Sequence, residues 1–450
     1  MVSGNIYNFT TRPIDNNEFL KLMRGSCRNG KYLHVAVGVS GGVDSLALCL
    51  LAHTWGEQND AKITALTVDH GLRKGSAIEA AQVKSWLTKR EIPHVTLLLD
   101  QPFPRFGIQA FARKWRFQLL GDWCRINLVD AVMLAHTIED QMETICMRLL
   151  ANSGPEGLSG MRSNTVVGGL RILRPLLKIS KHRLIATCNA FDQEWVVDPT
   201  NQDTKYCRVK IRQMMPDIEK TGLEINKTLR LASAMEKLRD AFDRFSSSFI
   251  KNNGGILKTG IAWINVSSFE KMPKKFKELM LLRLLISIGG AQWPSNKKKI
   301  NRLIDSLKRE KDTKTTLGGC VIEKTTSGKI WIYREIKRRC LSVVIAPGAK
   351  LRWDNRFEVF QNFDKKLTLE PLGEQGWRKI KGNQPASLSD IFDFSIPFHA
   401  RITIPVARSL DGDLIIPHFE STDRTKRERS LNVVSCDFRP DASWVRDLQA

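Results

Sequence analysis

The stretch Ser40-Gly41-Gly42-Val43-Asp44-Ser45 constrains this chain more than any other. The apolar run over residues 34–39 precedes it and reads as a strand. Residues 44–55 follow it with a helical apolar pattern carried by Leu46, Leu48, Leu50 and Leu51. A strand, a glycine turn and a helix in direct succession open a parallel α/β layer. Two adjacent glycines let the backbone approach a ligand, because no Cβ stands in the way. The helix start then offers its unpaired N–H groups to an anion. Ser40 and Ser45 add hydroxyl donors, and Asp44 can cap the helix or hold a cation. A Walker loop would need a lysine at the phosphates, and none occurs between Lys31 and Lys62. The pattern is a polyphosphate cradle of another kind.

Alternation continues along the first 150 residues. Further strands are expected over residues 63–68, 95–99 and 131–134, with helices over 76–88, 108–124 and 139–150. Such a sheet is covered on both faces, and its ligands sit at the carboxyl ends of its strands. Polar clusters fall at three of those ends: residues 40–45, 69–73 and 136–143. Residues 152–170 are glycine-rich and read as a mobile loop over the site. Helices are expected near residues 180–191, 205–215, 224–250, 274–288 and 296–308, with β-like pieces at 316–333, 401–406 and 414–417.

At 450 residues, two or three domains are expected. No run of 18 apolar residues occurs, so no membrane partner is expected, and the first 30 residues lack the apolar core of a secretory signal. Their mixed charge disfavours a transit peptide while leaving organelle import open. Nine cysteines, widely spaced and with no C-x-x-C pair, speak against a disulfide framework or zinc knuckle and for a reducing, cytoplasmic setting. The net charge is +23, and it is unevenly placed. Residues 1–200 carry +5, residues 201–350 carry +18 and residues 351–450 carry none. Excess concentrated in the middle third is the footprint of a phosphate-backbone ligand. Lys297-Lys298-Lys299 and Lys337-Arg338-Arg339 are candidate phosphate contacts there.

The SGGxDS hexapeptide resembles the PP-loop of the ATP-pyrophosphatase superfamily, whose members cleave ATP between the α and β phosphates and use the AMP to activate a carbonyl-type oxygen. Further blocks narrow the match: Val68-Asp69-His70-Gly71-Leu72-Arg73, Ala110-Phe111-Ala112-Arg113-Lys114-Trp115-Arg116, and Ala135-His136-Thr137-Ile138-Glu139-Asp140-Gln141-Met142-Glu143-Thr144. With Arg174-Pro175-Leu176-Leu177, and Asp198-Pro199-Thr200-Asn201 followed by Arg208 and Arg212, these resemble the tRNA(Ile)-lysidine synthetase family over about residues 34–215. Beyond residue 215 the likeness is one of size and charge.

The resemblance implies an α/β fold: a Rossmann-like parallel sheet in a PP-loop domain, then a mostly helical basic domain and a small mixed C-terminal region. The expected divisions are 1–215, 216–345 and 346–450. It implies ATP and Mg²⁺ as cofactors. The partners it implies are CAU-anticodon tRNA(Ile) and L-lysine, with a homodimer left open. The reaction would adenylate the C2 oxygen of the wobble cytidine, after which the lysine amine displaces AMP to give lysidine.

Roles follow residue by residue. Ser40, Gly41, Gly42, Val43, Asp44 and Ser45 would hold the phosphates, with Asp44 also serving Mg²⁺. Asp69, His70 and Arg73 would flank the nucleotide. Arg113 would neutralise phosphate or the developing charge on the leaving group. His136, Asp140 and Glu143, at i, i+4 and i+7, are expected on one helix face, the two acids suiting a cationic amine and able to take its proton. Arg174, Lys181, Asp198, Asn201, Arg208 and Arg212 would contact substrate. The chain departs from the family at Glu139, where an aspartate is usual, and Glu139 reads as dispensable. It also departs at Ala151-Asn152, at Lys181 where an arginine is usual, and at Val209. The rival readings are a PP-loop tRNA thiolase and a basic RNA-binding protein without catalysis.

Overall fold

The computed structural model describes residues 11–26, 32–71, 75–99, 103–104, 107–151, 153–197, 207–220, 225–290, 296–309, 312–336, 342–382, 395–417 and 434–441. They form two compact units, Met1–Phe242 and Asp243–Ala450. Among the described residues no helix is long and apolar enough to cross a membrane.

In the first unit the order is α1 (Asn16–Ser26), β1 (His34–Gly38), α2 (Val43–Gln58), β2 (Lys62–Asp69), α3 (Ser76–Thr88), β3 (His94–Leu98), α4 (Ile108–Ile126), β4 (Ala131–Met133), α5 (Ile138–Leu150), α6 (Pro155–Leu158), β5 (Asn164–Val167), β6 (Leu170–Leu173), α7 (Lys181–Ala190) and α8 (Cys207–Lys220). The helix α9 (Ile225–Asn253) begins in this unit. The strands form one sheet in the order β3-β2-β1-β4-β6-β5, parallel except for the β5–β6 pair. The strand order reverses direction between β1 and β4, the place where open α/β sheets bind ligands. The alternating-strand expectation therefore holds, with element ends shifted by a few residues.

Strand alternation separates two cores. Val35 and Val37 of β1 pack with α1, α2 and α7 residues such as Phe19, Leu46, Leu50 and Leu184. Ala36, between them, faces the other way into a cluster with Leu66, Leu120, Cys124 and Val132. Helix α2 is apolar almost all round, with Leu46, Ala47, Leu48, Cys49 and Leu50 buried, because α1 and α7 cover it on the side away from the sheet.

One expectation fails in this unit. The glycine-rich stretch 152–170 does not read through as a loop: residues 155–158 form α6, and residues 164–173 form the antiparallel β5–β6 hairpin. Gly168 and Gly169, with φ of +59° and +82°, make its two-residue turn. The edge pairing of β6 with β4 supplies the stabilisation that the glycine-rich sequence does not reveal.

The second unit holds β7 (Gly254–Ile256), β8 (Ala262–Asn265), α10 (Val266–Lys271), α11 (Lys274–Gly289), α12 (Lys297–Arg309), β9 (Thr313–Leu317), β10 (Cys320–Lys324) and β11 (Lys329–Arg334). It continues with β12 (Val343–Ile345), β13 (Lys350–Trp353), β14 (Phe357–Gln361), β15 (Leu367–Pro371), α13 (Gly373–Gly382), α14 (Phe398–Arg401), β16 (Pro405–Arg408), β17 (Leu414–Ile415) and β18 (Val434–Phe438). Long helices are present as expected. They pack on a five-stranded antiparallel sheet, β7-β8-β11-β10-β9, of which the sequence marked only part. In β11, Ile330 and Ile332 face the helices, while Trp331 and Tyr333 face Ile396, Ala400 and Ile404. Two smaller sheets, β12-β15-β16-β17 and β13-β14-β18, complete the unit. Arg334 and Arg356 both pair with the buried Asp354, at 2.9 and 2.6 Å.

Candidate active site

The loop between β1 and α2 is held by its own atoms. Ser45 Oγ accepts the Ser40 N–H at 3.1 Å and donates to the Gly42 carbonyl at 2.9 Å. The Gly41 carbonyl accepts the Val196 N–H at 2.9 Å. Gly41 has φ +84°, and a Cβ there would lie 2.9 Å from Val83 Cγ2, so the position needs glycine twice over. No side chain caps α2, which leaves its first-turn amides without a side-chain cap, as an anion seat needs.

Asp44 stands on that first turn. Its Oδ1 is buried with no hydrogen-bond partner, and its Oδ2 lies 3.9 Å from Lys181 Nζ. Burial raises its carboxyl to about 6, the Lys181 charge pulls it down, and Asp140 and Glu139 push it further up. An unpartnered carboxylate oxygen beside a phosphate cradle fits Mg²⁺, which binds through one or two carboxylates plus phosphate oxygens. Among the described residues no cluster of three metal-ligating side chains forms, so such an ion would draw its other ligands from the nucleotide and water.

At the end of β2, Asp69 Oδ1 accepts the Gly71 N–H at 2.9 Å and shapes the turn. Arg116 of α4 donates to His70 Nε2 at 3.4 Å, so the neutral ring carries its proton on the buried, unpartnered Nδ1. Arg116 belongs to a block quoted from the sequence but was given no role there. Arg73 lies outside the described residues, as do Asp198, Asn201 and the 337–339 basic run.

At the end of β4 the structure corrects the sequence reading. His136 is not on α5: the helix starts at Ile138, with Thr137 as its N-cap, so His136 and the two acids share no helix face. Asp140 Oδ2 accepts the Thr137 N–H at 2.9 Å, a capping box written in the T-x-x-D spacing. The His136 ring is pushed well below its usual range by burial and then by the charge of Arg174, with Asp140 opposing. It is neutral, and its Nδ1 is buried without a partner.

Glu143 is 2% exposed and is already engaged. Its two oxygens meet Arg208 Nε at 2.8 Å and Arg212 Nε at 2.7 Å, both on α8, while Arg208 Nη2 also lies 3.6 Å from Asp140 Oδ1. It therefore cannot be a free base while α8 is in this position. Arg174, just after β6, is buried with Nη1 on the Arg162 carbonyl, and burial followed by the Arg113 charge lowers it to about 10. Arg113 sits over the Phe117 ring, and its charge is felt at His136, Arg174 and Arg116. Arginines from α4, from just after β6 and from α8 thus converge on one end of the sheet, near carboxylates from α2 and α5. Lys181, read as a substrate contact, lies at the loop aspartate, and Glu139, read as dispensable, accepts the Lys181 N–H at 3.0 Å.

The chain is similar to known proteins over most of its length. A family model described as the PP-loop domain matches residues 14–218. The tRNA(Ile)-lysidine synthase of Ruegeria pomeroyi is 32% identical over 342 residues, covering 76% of this chain and 80% of the relative. The Orientia tsutsugamushi enzyme of that name is 30% identical over 419 residues, covering 90% and 93%. That of Rickettsia bellii is 28% identical over 410 residues, again covering 90% and 93%. A PP-loop at the switch point of the sheet, with relatives aligned through both units, leads to one assignment: the chain belongs to the tRNA(Ile)-lysidine synthase family.

Proposed function

We propose that the chain is an ATP-dependent ligase that converts the wobble cytidine of CAU-anticodon tRNA(Ile) to lysidine. The observation that carries this is the glycine loop after β1, with an uncapped helix start and the unpartnered Asp44 oxygen, in a chain of this family. The residues 40–45 hold the ATP phosphates, and Arg113 and Arg174 offset the charge at the reacting phosphorus. The cytidine C2 oxygen bonds to the α-phosphorus and pyrophosphate leaves. The lysine amine then bonds to C2, the C2–O bond breaks, and AMP departs with that oxygen. The new C2–N centre is acidic, so a weak base suffices, and the neutral His136 with its open Nδ1 takes the proton. Asp44 would hold Mg²⁺, which would supply charge neutralisation on the departing pyrophosphate.

Free lysine carries both an ammonium and a carboxylate. Asp140 and Glu143 suit the former, and Arg208 and Arg212 the latter. In this structure the two sets neutralise each other, and the amino acid replaces those pairs with its own charges. Residues 216–345 serve as the tRNA-binding region. On α12, Lys297, Lys298, Lys299, Arg302, Lys308 and Arg309 are exposed, while Ile300, Leu303, Ile304 and Leu307 are buried. Three lysines at a helix start oppose the helix dipole, a cost that a phosphate backbone offsets. Among the described residues, Cys49, Cys124, Cys188 and Cys320 are buried and burial pushes each thiol up to about 12, so these four do not support the thiolase rival.

The test is incorporation of labelled lysine into a CAU-anticodon tRNA(Ile) transcript with ATP and Mg²⁺. Release of AMP and pyrophosphate, with no label entering initiator tRNA, is the expected result. Absence of incorporation despite ATP and tRNA binding sinks the reading.

A further inference from the structure

Helix α7 begins without help from its own residues. Its N-cap, Ser180, makes no side-chain cap, its hydroxyl is buried and unpartnered, and no acid lies in the first turn. The cap comes from another element. Glu139, at the start of α5, places Oε1 3.0 Å from the Lys181 N–H, the first helical amide of α7. Beside it, the Ile138 N–H donates to the Ile179 carbonyl at 3.0 Å. Two hydrogen bonds thus stitch the start of α5 to the start of α7. A carboxylate at a helix N-terminus is favoured by the dipole as well as by the hydrogen bond.

The stitched turn carries Lys181, whose Nζ lies 3.9 Å from Asp44 Oδ2 on the first turn of α2. The phosphate loop has no lysine of its own, and this ammonium, brought in by another helix, is a cation seated at the loop aspartate, where the Arg212 charge is also felt. About half of its side chain is exposed, which leaves donors available to a ligand.

We propose that Lys181 is a phosphate ligand of the ATP site, and that Glu139 is the positioning residue that holds it there by capping α7. The proposal rests on the loop being an ATP site and refines it. Glutamate reach is part of the arrangement: an aspartate at 139 falls short of the Lys181 amide by one methylene. Lys181 thereby stands for the cation that Walker loops carry within the loop itself.

The experiment measures the dissociation constant of α,β-methylene ATP with Mg²⁺ by calorimetry, using the full chain without tRNA or lysine. Glu139→Ala and Lys181→Ala are each expected to weaken binding about tenfold, the loss of one charge-assisted contact. The double variant should be no weaker than Lys181→Ala alone, because Glu139 acts through Lys181. Glu139→Gln, which keeps an acceptor oxygen at the same reach, should recover most of the affinity, and Glu139→Asp should not. Lys181→Met, at a half-exposed position, guards against a folding defect in the Glu139→Ala chain. Unchanged affinity in the Lys181 variants, or additive losses in the double variant, overturns the proposal. Failure of lysine incorporation would leave these binding results standing, so the two readings fail separately.

Discussion

Glu143 and Arg212 are joined by a 2.7 Å contact between an acid that is 2% exposed and an arginine that is half exposed. The acid is fixed by α5 and the arginine is carried on α8, so the pair ties the two helices across the site. Glu143→Gln should cost about 2 kcal/mol of stability, less than for a wholly buried pair because both arginines reach water. Denaturant unfolding measures it. Asp140→Asn, which weakens the capping box and the longer 3.6 Å contact with Arg208, should cost about 1 kcal/mol.

The Asp44 carboxyl sets a pH dependence. Its folded value is near 6 against an ordinary 3.8, so between those values the folded chain holds more protons than the unfolded one. Its contribution to stability is therefore present at low pH and lost as pH rises through 4 to 6. Nucleotide binding runs the opposite way, since the cation needs the carboxylate. Affinity for Mg²⁺ with α,β-methylene ATP should fall below pH 6 and lose that dependence in Asp44→Asn. A profile that persists in the variant assigns it to another group.

Gly41 and Gly42 should separate strain from access. Gly41→Ala puts a side chain at φ +84° and against Val83, and should destabilise the fold by about 1–2 kcal/mol as well as weakening ATP binding. At Gly42, φ is −75° and the nearest heavy atom to a built Cβ is Ser40 Oγ at 3.8 Å. Gly42→Ala should therefore leave thermal unfolding almost unchanged while still weakening ATP binding. Equal losses of stability in the two variants would refute the distinction.

In the second unit, Asp354 is 4% exposed and sits between Arg334 and Arg356. Asp354→Ala leaves the buried Arg356 guanidinium without its counter-charge and should cost about 3–5 kcal/mol. Unfolding by guanidinium chloride, followed through the Trp331 and Trp353 signals, reports it. A loss under 1 kcal/mol would mean that water replaces the carboxylate.

What the sequence determined by itself was whatever has a local cause. Apolar runs and 3.6-residue periods marked β1 to β4 and α2 to α5, and the glycine pair with its flanking serines marked the loop, because strand pleat, helix pitch and the missing Cβ act over a few residues. The Thr137–Asp140 capping box was equally local, and its spacing was there to be read. Tertiary structure alone decided which charges meet. Lys181 is 137 positions from Asp44 and Glu143 is 69 from Arg212, separations over which no period operates. His136 left the helix face assigned to it because chain reversal after β4 placed the N-cap at Thr137. Residues 164–173 became a hairpin because β6 found an edge of the sheet at β4. Side-chain chemistry can be listed from sequence, but partnership depends on distance and burial, and these are set by how the layers pack.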